Sequence, residues 1–275
     1  MTSASESPGA ARPEGTESRR AGREFLLEWI FQPLSAVVVP VLRRLRVSPP
    51  AVVLANTGAG LLACLAIATD APIAGALLLQ LKTLLDNCDG RLARASGRVT
   101  LTGRYLDTLA DLLVNAALFL ALAYATGQPV LALVAFLALN VVLTVDFNVS
   151  ELARAAHGAP AADVRPAGGR VERLLGSAYD LVLGTQDRVV RALSRRRLEH
   201  AVGRDPSSEA RRAYFDPLTL TVLANLGLTT QLAVLGVCLV LGLPTLYLWI
   251  VLASAVALVP LQLRREGLAR RVAHP

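Results

Sequence analysis

Three cysteines, three histidines, a single lysine and an aromatic share of 5% deprive this chain of several kinds of chemistry. Cys64 and Cys238 fall inside apolar runs and Cys88 among acidic residues, so neither a disulfide framework nor a Cys/His zinc set is spelled out. His157, His200 and His274 are as widely scattered. The net charge of +7 and pI near 10.0 could point to nucleic acid, but no stacking platform or groove-reading motif accompanies them. Charged residues are also scarce, at 18%, against 53% hydrophobic and a mean hydropathy of +0.49. That balance excludes a soluble globular enzyme. Of the 28 basic residues only Lys82 is a lysine, an arginine bias that fits a high-GC prokaryotic genome.

The apolar residues are gathered into long runs separated by arginine-rich stretches, which is how membrane spans read. Six spans are expected, at about 50–69, 71–85, 105–126, 129–145, 218–241 and 245–263. The fold class is therefore all-α, an integral membrane bundle of six transmembrane helices with an N-terminal interfacial amphipathic segment. Residues 1–24 are polar and lack the apolar core of a secretory signal, and read as a disordered cytoplasmic tail. Residues 25–47 are apolar but contain Pro33 and Pro40 and end in Arg43, Arg44 and Arg46. Prolines that break a span and arginines that meet lipid phosphates predict a segment lying along the membrane. The six-span domain then occupies 48–275, with a cytoplasmic insertion at about 147–216 in which 171–197 has apolar residues at helical spacing.

The loops at Asp70, Gly127-Gln128 and Gly242-Leu243-Pro244 hold no lysine or arginine. By the positive-inside rule both termini, the acidic segment after span two and the insertion lie in the cytoplasm of a prokaryotic inner membrane. Asn148-Val149-Ser150 matches a glycosylation acceptor, which has no meaning on that side.

The chemistry is concentrated in Asp86-Asn87-Cys88-Asp89-Gly90-Arg91-Leu92-Ala93-Arg94 and Gly103-Arg104-Tyr105-Leu106-Asp107-Thr108-Leu109-Ala110-Asp111. At about 100° per residue, Asp86, Asp89, Gly90, Ala93 and Arg94 share an arc of roughly 140°. Gly103, Asp107 and Asp111 succeed one another by single turns on the next helix. Four carboxylates thus converge at the cytoplasmic membrane boundary, where each costs several kcal/mol unless paired or metal-bound. A salt-bridge network with Lys82, Arg91, Arg94, Arg98 and Arg104 would account for the charge. It would not account for the small residues on the same face, which leave room for a ligand to approach the backbone. Hard divalent cations, magnesium or manganese, with oxygen ligands and a phosphorylated ligand account for both.

The eight positions Asp86, Asp89, Gly90, Ala93, Arg94, Gly103, Asp107 and Asp111 resemble the signature of the CDP-alcohol phosphotransferase family, and the six-span layout is similar to it. The resemblance implies transfer of a substituted phosphate from a CDP-linked donor, usually CDP-diacylglycerol, to an acceptor hydroxyl, with release of CMP. Two divalent cations, Mg²⁺ or Mn²⁺, would be held by Asp86, Asp89, Asp107 and Asp111, with Asp111 also the base. Gly90, Ala93 and Gly103 would admit cytidine and Arg94 would hold the donor. A homodimer and a membrane lipid environment are implied as well, with no nucleic acid. The acceptor stays open among glycerol phosphate, inositol phosphate, inositol, serine or another lipid. Arg154, Arg211 and Arg212 are candidates for a phosphorylated acceptor, although positive-inside anchoring explains them equally. Where the family often has a Thr-Pro-Asn-like start before span one, this chain has Ser48-Pro49-Pro50 followed by Val53, and Asn56 or Thr57 one turn on could substitute. Within the family the alternative is a soluble CDP-alcohol donor; outside it, a divalent-cation transporter or a membrane-anchored interaction protein.

Overall fold

The computed structural model describes residues 22–97, 99–158 and 168–273. Most of the predicted 1–24 tail, Arg98 and His274 lie outside them. Among the described residues the chain is helical, with no β-strand. After a π-helical turn at Leu27–Phe31 come α1 (Gln32–Arg44), α2 (Pro49–Ala68), α3 (Pro72–Ala95), α4 (Leu101–Thr126) and α5 (Pro129–Ala156). Next follow α6 (Arg170–Tyr179), a second π-helical turn at Asp180–Gly184, α7 (Thr185–Val202) and α8 (Ser208–Tyr214). The C-terminal part is α9 (Pro217–Asn225), α10 (Leu228–Val240) and α11 (Pro244–Ala273). Proline opens α2, α3, α5 and α9, where its missing N–H would have had no helical partner.

Five helical runs are long and apolar enough to cross a membrane: α2, α4, α5, the α8–α10 run Ser208–Val240, and α11. The sixth expected span is α3, whose 24 residues give sufficient length. It falls short on composition because Lys82, Asp86 and Asp89 interrupt its apolar stretch. Span five departs from the expectation too, being divided at Leu226-Gly227 into α9 and α10. Gly227 has an extended ψ of 175°, and a Cβ there would sit 2.8 Å from the Ala224 carbonyl oxygen. Only glycine permits that close turn.

Contrary to the expectation from sequence, Pro33 and Pro40 do not break the N-terminal segment. Helical structure runs unbroken through both. Pro33 lies in the first turn of α1, and Pro40 removes one bond on a side of the helix where both it and Ala36, the residue whose carbonyl is freed, are exposed. Val39 of α1 packs with Val52, Cys88 and Leu92, which ties α1 to the helix that carries the first two aspartates. Cys88 is fully buried there, in a packing role. Asn225 also fastens the stretch before the first π-helical turn, accepting from the Phe25 N–H and donating to the Arg23 carbonyl.

The main core joins α2, α3, α4, α5, α10 and α11 through Ala63, Leu79, Leu118, Leu139, Leu235 and Tyr247, all fully buried or nearly so. It occupies the half of the bundle away from the acidic segment and so fixes how α2, α3 and α4 meet at the other end.

Candidate active site

A short turn closes α3 against α4. Ser96 ends α3, Gly97 takes a left-handed φ of 63°, and Thr100 caps α4 by accepting the Gly103 N–H on its hydroxyl at 3.1 Å. The two halves of the signature are therefore neighbours. Measured at 1.5 Å per residue from the opposite end of each helix, Asp86 and Asp89 lie about 21 and 26 Å along α3, and Asp111 and Asp107 about 23 and 29 Å along α4. In a hydrocarbon slab about 30 Å thick, that is near one face.

Among the described residues, Asp86, Asp89 and Asp107 each bring a carboxylate oxygen within 4.8 Å of the others. Asp89 is buried, and its Oδ2, like Asp107 Oδ1, has no hydrogen-bond partner. Two buried carboxylate oxygens aimed into one cluster without donors is a costly arrangement for a salt-bridge network. It suits a hard divalent cation, for which unpaired carboxylate oxygens are the preferred ligands. The residues present fit such an ion.

Asp111 is held differently. Its Oδ1 accepts from Lys82 Nζ at 2.7 Å, and Lys82, only 1% exposed, also lies 3.9 Å from Asp86. The four carboxylates expected to act together thus divide into a close group of three and a fourth paired to the chain's one lysine. The turn spacing placed Lys82 near Asp86, but its reach across to α4 depends on how tightly α2 packs. A Cβ at Gly60 of α2 would lie 2.5 Å from Val114 Cγ1 and 3.3 Å from Lys82 Cδ, so glycine is what lets the three helices meet.

Asn56 belongs to the site. It is 2% exposed and donates from Nδ2 to Asp86 Oδ1 at 3.0 Å, while its own Oδ1 is unpartnered. Thr57 instead bonds back to the Val53 carbonyl in its own helix, a packing role. Asn115, one turn beyond Asp111 and 3% exposed, also leaves Oδ1 without a partner; nothing in the signature pointed to it.

The small residues leave their face open. A Cβ at Gly90 would meet only the Arg94 guanidinium, at 3.4 Å, and one at Gly103 only Thr100 Oγ1, at 3.2 Å. Ala93 is partly exposed beside them.

Of the three acceptor candidates, Arg154 is carried by α5 and Arg211 and Arg212 by α8. Arg154 pairs with Glu151, which also lies 4.0 Å from Arg104. Arg211 bonds the Pro206 carbonyl in its own turn, and both Arg211 and Arg212 are exposed on α8, which packs on α11, α5 and α7. A cavity of about 280 Å³ does lie at the N-terminal end of α4, lined by Arg104, Tyr105, Phe147, Tyr179, Arg188 and Arg191 among others. Behind it Asn148, fully buried, donates to Asp187 Oδ1 and accepts from Arg191 Nε, while the Tyr179 hydroxyl donates to Asp187 Oδ2. Burial and that bond push the Tyr179 phenol above its ordinary pKa. Sequence periodicity showed the helices of this network but not their pairing.

Two archaeal proteins, each named a bifunctional IPC transferase and DIPP synthase, are similar to part of the chain. That of Thermococcus kodakarensis is 41% identical over 81 residues, 29% of this chain and 18% of its own length. That of Archaeoglobus fulgidus is 35% identical over 109 residues, 40% of this chain and 20% of its own length. The chain thus spans a fifth or less of these curated relatives. No solved structure matches it. Residues 46–169, which contain α2 to α5 and all four carboxylates, match the model of the CDP-alcohol phosphatidyltransferase family.

Proposed function

We propose that the protein is a membrane phosphotransferase that moves a phosphatidyl or other substituted phosphate group from a CDP-linked donor, CDP-diacylglycerol foremost, to an acceptor hydroxyl, releasing CMP. The observation that carries this is the group Asp86, Asp89 and Asp107, with two buried carboxylate oxygens unpaired, set beside an open face of Gly90, Ala93 and Gly103.

Asp86, Asp89 and Asp107 would hold divalent cations, magnesium or manganese, with Asp111 completing the set as the family signature implies. Such ions supply charge neutralisation and Lewis acidity at the donor diphosphate. The chain's own groups do the rest. The open glycine and alanine face admits the nucleotide, and Arg94, lying over Gly90, offers its guanidinium to a phosphate. Asn56 fixes the Asp86 carboxylate through its Nδ2. Asp111 takes the acceptor's proton at the oxygen that Lys82 does not hold, and Lys82 keeps that carboxylate oriented. The acceptor hydroxyl attacks the phosphorus distal to cytidine, the diphosphate bond breaks, and CMP leaves. An acceptor carrying its own phosphate would find cationic partners in the cavity at Arg104, Arg188 and Arg191. The relatives' names, IPC transferase and DIPP synthase, support a phosphotransfer reaction and leave a soluble CDP-alcohol as the alternative donor.

The test is CMP release from CDP-diacylglycerol by the purified chain with magnesium, with manganese and with EDTA, across acceptors. Activity is expected with either metal and lost in chelator. Asp111→Asn should retain metal-dependent CDP binding while turnover falls roughly 10²-fold or more, the scale of a lost general base. Asp86→Asn should weaken the binding itself. Full turnover in EDTA overturns the reading, and metal flux without CMP release would make the protein a transporter.

A further inference from the structure

The segment α6, its following π turn and α7 packs one face on the bundle and turns another outward. Val171, Leu174, Leu181, Val182, Val189 and Leu193 are 41–82% exposed, with Leu181 the highest. Apart from the adjacent pair Leu181-Val182, successive members are one or two helical turns apart. They form one stripe along the whole segment. The opposite side is engaged: the Tyr179 ring stacks on Tyr105 of α4 at 5.2 Å, Glu172 accepts from Thr102, Gln186 accepts from Thr144 of α5, and Ser194 and Leu198 are buried.

The level of these contacts along α4 and α5 is set by helix geometry. Tyr105 is about 32 Å from the far end of α4, and Thr144 and Asn148 are about 23 and 29 Å from the far end of α5, at 1.5 Å per residue. A hydrocarbon slab is about 30 Å thick. The segment therefore meets the bundle where apolar chains give way to headgroups, on the side that bears the arginines. Charge follows the same geometry. Arg170, Arg173 and Arg188, all exposed, each immediately precede a member of the stripe and so line one flank of it, about 100° round the helix. A row of apolar side chains edged on one flank by guanidinium groups matches a bilayer surface containing anionic phospholipid.

We infer that α6 and α7 form an interfacial helix that lies in the headgroup layer, its stripe from Val171 to Leu193 sunk into the acyl boundary and its arginine flank on lipid phosphates. This surface lies beyond residues 46–169, the part that matches the family model. Seated there, the helix holds Tyr179, Arg188 and Arg191 as the outer wall of the cavity at the end of α4, at the level where a lipid donor's headgroup lies. The inference does not rest on the proposed reaction.

Site-directed spin labelling of the full chain in vesicles tests it. Leu174→Cys, Leu181→Cys and, as the control on the arginine flank, Arg195→Cys are each labelled with a nitroxide; the three native thiols are buried, and labelled wild type gives the background. Power saturation with oxygen and with a water-soluble nickel chelate reads depth. In vesicles of phosphatidylcholine with phosphatidylglycerol, labels at 174 and 181 should lie about 5–10 Å below the phosphates, and the label at 195, two turns beyond Arg188 on the arginine flank, at their level. The Arg170→Gln, Arg173→Gln, Arg188→Gln triple variant should bring the label at 181 outward, as should removal of phosphatidylglycerol. Nickel access at 174 and 181 equal to that at 195 would overturn the inference. So would occlusion from both reagents that deepens with protein density, which would assign the stripe to contact between copies of the chain.

Discussion

Replacing Lys82 with methionine removes one ammonium and nearly preserves the stem, so packing around Gly60 and Val114 should survive the change. What is lost is electrostatic. Lys82 is 1% exposed, lies 2.7 Å from Asp111 and 3.9 Å from Asp86, and is the cation that the structure pairs with either of them. Without it Asp111 stands uncompensated beside Asp86, Asp89 and Asp107. Breaking a buried pair by removing one partner costs about 3–5 kcal/mol, and because the Asp111 side chain keeps 23% exposure the lower end applies. For a chain of this size roughly 2–4 °C of Tm follows each kcal/mol. In EDTA, Lys82→Met should therefore unfold at least about 6 °C below wild type, by a thiol-reactive melt in detergent. Metal should then matter more. A ligand at about 100 times its Kd adds about 2.7 kcal/mol, and in the variant that ion also neutralises the carboxylate Lys82 abandoned. Magnesium should raise the variant's Tm by more than it raises the wild type's, while turnover stays low because Asp111 has lost its positioning contact. A melt unchanged in EDTA, or equal magnesium shifts for the two proteins, would refute this account of how the acid cluster is balanced.

Gly60→Ala should cost about 1–3 kcal/mol by overpacking, since its Cβ would fall 2.5 Å from Val114 Cγ1, and pairing it with Val114→Ala should recover most of the loss in the same melt. Thr100→Ala removes the cap of α4 and should lower stability by about 1 kcal/mol, with a matching rise in hydrogen exchange at Gly103. Reporters fused after Pro275 and inserted near Ala161 should both read as cytoplasmic; either one outside would overturn the expected orientation.

The acidic cluster was legible because its information is intrahelical. Asp86, Asp89, Gly90 and Ala93 share a face by the pitch of one helix, as do Gly103, Asp107 and Asp111, and the short connection through Gly97 leaves the two faces little choice but to meet. What escaped was everything set by packing between helices. Asn56 donating to Asp86 and Lys82 crossing to Asp111 depend on the distance of α2 from α3 and α4, and that distance is decided by Gly60, a residue with no periodic signature. The same division explains the errors in the spans. Hydropathy marks how much apolar chain is available but not whether its backbone is continuous, so the break at Gly227 and the unbroken helix through Pro33 and Pro40 both lay outside its reach. It also ranks α3 lowest for the reason that makes α3 functional: the lysine and aspartates that interrupt its apolar run are tolerable at that depth only because α2 and α4 surround them. The residue types that weaken a helix's case as a span are therefore the ones that locate the site.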